Sequence, residues 1–127
     1  MSDFKVIHLF QAADGRGCLS VIQNELPFSV ERLFWITQAD GQLRGGHRHH
    51  RTRQALIAVQ GVISVYMNDG EHEETIRLDS PSSCLFVEPE DWHTMYFEEG
   101  AVLLVLASEK YDVSDYIDPP YPQESLK

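Results

Sequence analysis

From residue 28 onward the chain contains no apolar run longer than a strand, and each run is closed by turn-forming residues. The closures are Asp40-Gly41, Asn68-Asp69-Gly70, Asp79-Ser80-Pro81, Pro89-Glu90-Asp91 and Glu99-Gly100. Many short segments punctuated in this way, with almost no helical periodicity, define an all-β sandwich or barrel. The pattern predicts strands over Val30–Thr37, Leu43–His49, Gln54–Gln60, Gly61–Met67, Glu74–Leu78, Ser83–Val87, Trp92–Phe97 and Ala101–Ser108. Asp69-Gly70 reads as a hairpin turn. In Val62 to Met67, alternation puts Ile63, Val65 and Met67 on one face and Val62, Ser64 and Tyr66 on the other, as in a packed barrel wall.

Upstream, Asp14 to Leu19 reads as a turn between two further strands, Lys5–Phe10 and Cys18–Gln23. Downstream, Ser114-Asp115-Tyr116 starts a single helical turn. Asp118-Pro119-Pro120-Tyr121-Pro122 then suits only an extended tail, because proline lacks the amide that helices and central strands require. With 127 residues and no repeat or linker, the expectation is one domain over 1–127, with a barrel core at about 5–110 and a tail at about 111–127.

The net charge of −10 argues against nucleic acid and anionic membrane as partners, because both reward basic surfaces. No basic segment followed by an apolar one opens the chain, and two cysteines, Cys18 and Cys84, are too few for a disulfide scaffold. These features predict a cytoplasmic protein in which both thiols are structural. The charge is unevenly spread: Arg44, Arg48, Arg51 and Arg53 fall within residues 44–53, together with His47, His49 and His50. A basic island in an acidic protein suits a small anion such as a phosphate ester, whose oxygens match the guanidinium fork. A solvated, arginine-rich edge strand would look the same.

His47 and His49 lie two apart, so on a strand both side chains leave one face and meet one substrate or one ion. His8, His50 and His72 lack such a context and are expected at the surface. The pair sits in a longer pattern: Gly45-Gly46-His47-Arg48-His49, four residues, Gln54, six residues, Gly61. This resembles the first motif of the cupins, with Gln54 at the usual glutamate; Pro89-Glu90-Asp91-Trp92-His93 resembles the second, with His93 at its histidine. The implied fold is a single-domain, RmlC-like jelly-roll barrel with a short irregular C-terminal tail.

The cupin metal set would map to His47, His49, Gln54 and His93. Neutral glutamine is a poorer donor than glutamate to a hard or borderline cation, which weakens metal binding, although His47, His49 and His93 alone suffice in principle for zinc. Without a metal, paired histidines do proton transfer, because imidazole titrates near the working pH.

Nearly the whole chain, from about Val6 to Ile117, resembles the sugar nucleotide 3,4-ketoisomerases, small cupins related to the WxcM-like domain. The resemblance is carried by Asp14 to Leu19, Leu26 to Arg32, Arg44 to His49, Gln54 to Gly61, Trp92 to Met95, Val102 to Asp112 and Asp115-Tyr116-Ile117. It implies isomerisation of a dTDP-4-keto-6-deoxyhexose to its 3-keto form in deoxyamino sugar biosynthesis, with no cofactor, in a homodimer. It further implies His47 as base, His49 assisting at the oxygens, Arg44 on diphosphate or oxyanion, and Gln54 on sugar hydroxyls. Arg32 belongs to the implied substrate site, and Arg16 and His93 mark positions that vary within the family. A tyrosine usual in the family is replaced here by Phe34, which removes a hydroxyl. The alternatives are a metal-dependent cupin enzyme and a cupin that only binds a small ligand.

Overall fold

A computed structural model describes residues 3–122. Twelve strands are present among them: β1 (Val6–His8), β2 (Phe10–Asp14), β3 (Gly17–Val21), β4 (Arg32–Ile36), β5 (Leu43–His49), β6 (Gln54–Gln60), β7 (Ile63–Asn68), β8 (Glu73–Leu78), β9 (Ser83–Val87), β10 (Trp92–Phe97), β11 (Val102–Ala107) and β12 (Tyr116–Ile117). One five-stranded sheet runs β1-β9-β6-β11-β4 and a second β12-β5-β10-β7-β8, while β2 and β3 form a separate hairpin. All pairings are antiparallel, which gives the jelly-roll barrel the motifs imply.

The inward faces close on one core. Ile63, Val65 and Met67 of β7 are fully buried against Leu56 and Ala58 of β6, Leu85 and Val87 of β9, Met95 and Phe97 of β10, and Leu103 and Val105 of β11. A second apolar layer lies outside the first sheet, where Leu9, Ile22, Leu26 and Phe28 cover Ala55, Ile57, Cys84, Phe86 and Leu106. Burial drives the Cys84 thiol up to about 12, so it is a core residue and not a nucleophile. Among the described residues, no helix is long and apolar enough to cross a membrane.

Strand ends depart from the pattern where backbone geometry intervenes. The predicted strand from Gly61 starts instead at Ile63, because Gly61 takes a left-handed φ of 73° against β11; a Cβ there would stand 2.8 Å from the Ala101 Cα. The predicted strand Lys5–Phe10 is two strands. Buried Leu9, whose amide donates to the Ser82 carbonyl, marks where the chain leaves β9 and enters the hairpin. The tail is more ordered than proline content suggests: a 3-10 turn, Val113–Asp115, is capped by the Asp112 side chain and leads into β12. Residues 123–127 of the expected tail lie outside the described residues.

Candidate active site

Strand register gathers the histidines. His47 of β5 stands opposite His93 of β10, which stands opposite Met67 of β7, so both histidines share the inner face of the second sheet. His49 follows on the same face. The ring centroids of His47 and His49 are 5.2 Å apart, those of His47 and His93 5.3 Å, and those of His49 and His93 6.2 Å. On the facing sheet, Arg32 of β4, Ala107 of β11 and Gln54 of β6 are successive partners in one row. Gln54 alternates with the core residues Leu56 and Ala58 and is buried at that end of the barrel.

Burial tunes the imidazoles. Desolvation lowers the proton affinity of His47, opposed by the negative charge of Asp118. Desolvation, aided by the neighbouring His47 and Arg32 and opposed by Asp115, takes His49 down to about 4. His93 is taken down to about 3, mainly by burial. Its Nδ1 lies 3.0 Å from the Asp91 carbonyl oxygen. A neutral ring therefore donates Nδ1–H there and keeps Nε2 as an acceptor. The site thus holds three imidazoles that are neutral at pH 7, with His47 the most exposed of them.

The basic island divides by function. Arg53 pairs with Glu88 and donates to the Pro27 carbonyl, and Arg51 reaches Asp112, Glu109 and Asp115; these two are structural. Arg48 points to the outer face, its guanidinium 4.5 Å from the Tyr121 ring centroid. Only Arg44 shares the face of His47. Simple alternation would turn Arg44 away, but β5 carries a bulge. His93 opposes His47, Thr94 opposes Gly45 and Met95 opposes Arg44, leaving Gly46 as the extra residue. Both glycines have φ of 88°, and a Cβ on Gly45 would meet the His93 carbonyl oxygen at 3.0 Å, so the bulge needs glycine.

Arg32 projects inward from β4, with its guanidinium 5.1 Å from the Phe34 ring and 5.6 Å from that of Tyr111. Its Nε is buried without a partner. Phe34, at the usual tyrosine position, packs on the core beside it. Arg16 is not brought to the histidines by this chain: it sits on the β2–β3 hairpin, 91% exposed and paired with Asp14 at 2.7 Å. His8, His50 and His72 are exposed, as expected.

The sequence reading missed Tyr116. Pairing of β12 with β5 sets Tyr116 opposite His49, and its ring centroid lies 4.7 Å from those of both His47 and His49. The signal available was a tyrosine in an extended segment following Asp112 and Asp115, both of which fasten that segment. The Asp115 carboxylate accepts from the Arg51 and Thr52 amides and from the Thr52 hydroxyl. Burial pushes the Asp115 carboxyl up, but these donors and Arg51 hold it net below its ordinary value. Asp115→Ala leaves them unpaired and is expected to cost roughly 3 kcal/mol. That is about 10 °C in Tm by calorimetry. Because the folded carboxyl lies lower than the unfolded one, its contribution is complete above about pH 4 and fades as pH falls through the folded value. The deficit should therefore shrink in acid; a variant melting within 2 °C of wild type at pH 7, on the same scale, would refute this role.

Among the described residues, no group of three or more His, Cys, Asp or Glu side chains is placed to hold an ion. The position of the usual anionic ligand carries Gln54.

Barrel and site together define a small cupin with three histidines clustered on the inner face of one sheet and Arg44 on the same face. The family described as FdtA, WxcM-like, C-terminal, matches residues 2–122, and the chain belongs to it. It is 39% identical over 117 residues to the TDP-4-oxo-6-deoxy-α-D-glucose-3,4-oxoisomerase of Aneurinibacillus thermoaerophilus, spanning 89% of this chain and 84% of that one. A histidine-to-asparagine variant of the 3,4-ketoisomerase QdtA from Thermoanaerobacterium thermosaccharolyticum, solved with TDP-4-keto-6-deoxyglucose, superposes with a TM-score of 0.88. The two are 36% identical, with 94% and 90% of the chains covered. The TDP-quinovose 3,4-ketoisomerase WlaRB of Campylobacter jejuni gives a TM-score of 0.88 at 35% identity, covering 94% and 95%.

Proposed function

We propose that this chain converts a nucleotide-linked 4-keto-6-deoxyhexose, dTDP-4-keto-6-deoxyglucose first among candidates, to its 3-keto isomer. The observation that carries the reading is the clustered, neutral set of His47, His49 and His93, with Arg44, unpaired among the described residues, on the same face. The ketone at C4 acidifies the hydrogen on C3. A neutral imidazole, His47, takes that proton and leaves an enediolate. His49, beside it, relays a proton from the oxygen on C3 to the oxygen on C4, and the imidazolium, whose N–H exchanges with solvent, delivers a proton to C4. One C–H bond breaks and one forms, the ketone and hydroxyl exchange places, and no electron leaves the substrate. Gln54, Arg32 and Arg44 supply donors to hydroxyls, enediolate oxygen and diphosphate; His93, fixed as an acceptor, faces a substrate hydroxyl. Phe34 offers none, so proton relay falls to the histidines.

The test is incubation with dTDP-4-keto-6-deoxyglucose in D2O followed by NMR. The 3-keto isomer with solvent deuterium on the ring is the expected result. Unchanged substrate that has acquired no deuterium would overturn the reading.

The same reading includes a homodimer. Leu33 and Trp35, on the outer face of β4, are 50% and 65% exposed, while Phe10 and Leu19 on the projecting hairpin are 63% and 62% exposed. Apolar surface of this kind on an edge strand and a detached hairpin is suited to a second copy. Trp35→Arg should shift the light-scattering mass from two chains to one; a wild type that is already monomeric would refute the assembly.

A further inference from the structure

We propose that Tyr116 orients both reacting imidazoles, so that residues 112–121 are a working part of the site and not a trailing tail. The inference rests on the reading of His47 and His49 as the proton carriers. Imidazoles used for proton transfer are ordinarily held by a hydrogen bond on the nitrogen that does not react. His93 has such a bond, to the Asp91 carbonyl. Both ring nitrogens of His49 are buried without a partner, and the His47 ring likewise makes no hydrogen bond among the described residues. Besides His93, Tyr116 touches both rings, and more closely, edge-on at 69° to His47 and 63° to His49.

Tyr116 is itself firmly placed. On its N-terminal side, Asp115 is tied to the amides of Arg51 and Thr52, and the His50 amide donates to the Asp115 carbonyl. On its C-terminal side, the Trp92 Nε1–H donates to the Asp118 carbonyl at 2.9 Å and the Tyr121 hydroxyl to that of Glu90 at 2.8 Å. Arg48, between the two histidines but on the opposite face, stacks on Tyr121. The segment is therefore clasped to both flanks of the β5 end that carries the histidines, and its one inward aromatic ring fills the angle between their rings. A ring so held restricts rotation of both imidazoles without engaging any of their nitrogens.

The contact is made by the ring, so the hydroxyl should be dispensable. Tyr116→Phe is expected to keep kcat within about threefold, whereas Tyr116→Leu should lose roughly 10- to 100-fold in kcat with KM within about threefold, the cost of loosened geometry. In the free protein, nuclear Overhauser contacts from the Tyr116 ring to the His47 and His49 ring protons are expected in wild type. The imidazole signals should keep their positions in the Phe variant and move or multiply in the Leu variant. Absence of the ring contacts in wild type, a Leu variant with normal kcat, or a Phe variant as impaired as Leu would each overturn the proposal. The wild-type spectrum decides even where the Leu variant fails to fold. It needs no substrate, so it separates failure here from failure of the isomerase reading.

Discussion

His47→Asn should lower kcat by roughly 100- to 10,000-fold, the range expected for loss of a positioned general base, while KM changes little. Asparagine keeps the size and a nitrogen donor but has no basic nitrogen at neutral pH. Among the three histidines, His47 is the one with both the exposure and the moderate desolvation that a base needs. His49, at about 4, and His93, at about 3, are too weakly basic to carry a proton for long near pH 7. Burial lowers His47 and Asp118 partly restores it, so the neutral, active form persists below the ordinary imidazole value of about 6.5. In wild type, kcat/KM should be flat through neutrality and fall only on the acid side of that value. Stopped conversion of dTDP-4-keto-6-deoxyglucose, analysed by NMR at several pH values, measures both. Turnover within threefold of wild type in the Asn variant would remove His47 from the role of base.

Strand positions were legible because burial alternates along β7 and turn residues close each run; both are local properties. The histidine face was legible for the same reason, since residues two apart on a strand must share a side. The paired glycines Gly45-Gly46 also make legible a bulge that turns Arg44 inward, although only the register against β10 shows that Gly46 is the extra residue. Two things were not. The division of the basic island depends on acids far away in sequence: Glu88 for Arg53, Asp112 and Asp115 for Arg51. Tyr116 was hidden because its segment, followed by prolines, carries no periodicity; its place is set by Asp115 and by two residues of strand pairing. Arg16 is the reverse case, a motif residue that the fold of one chain leaves at the tip of an exposed hairpin.

Arg44→Ala should raise KM by roughly 10- to 100-fold with kcat nearly retained. The chain holds twenty acidic residues, and Arg16, Arg51, Arg53 and Arg77 all have carboxylate partners. Arg44 has none among the described residues, so in this acidic protein a carboxylate has been kept away from it rather than being in short supply. It shares the face of His47 but is exposed where His47 is half-buried, which sets it toward the entrance and away from the reacting carbons. A guanidinium at the entrance meets the solvent-facing, charged end of a nucleotide sugar, the diphosphate, which has the same charge in ground and transition states. Its removal then weakens both equally and appears in KM. Arg44→Lys keeps the charge but loses the two-pronged fork, so it should recover part of the loss and no more. A fall in kcat with KM unchanged would place Arg44 on the enediolate instead, and unchanged constants in the Ala variant would return it to the solvated edge of β5.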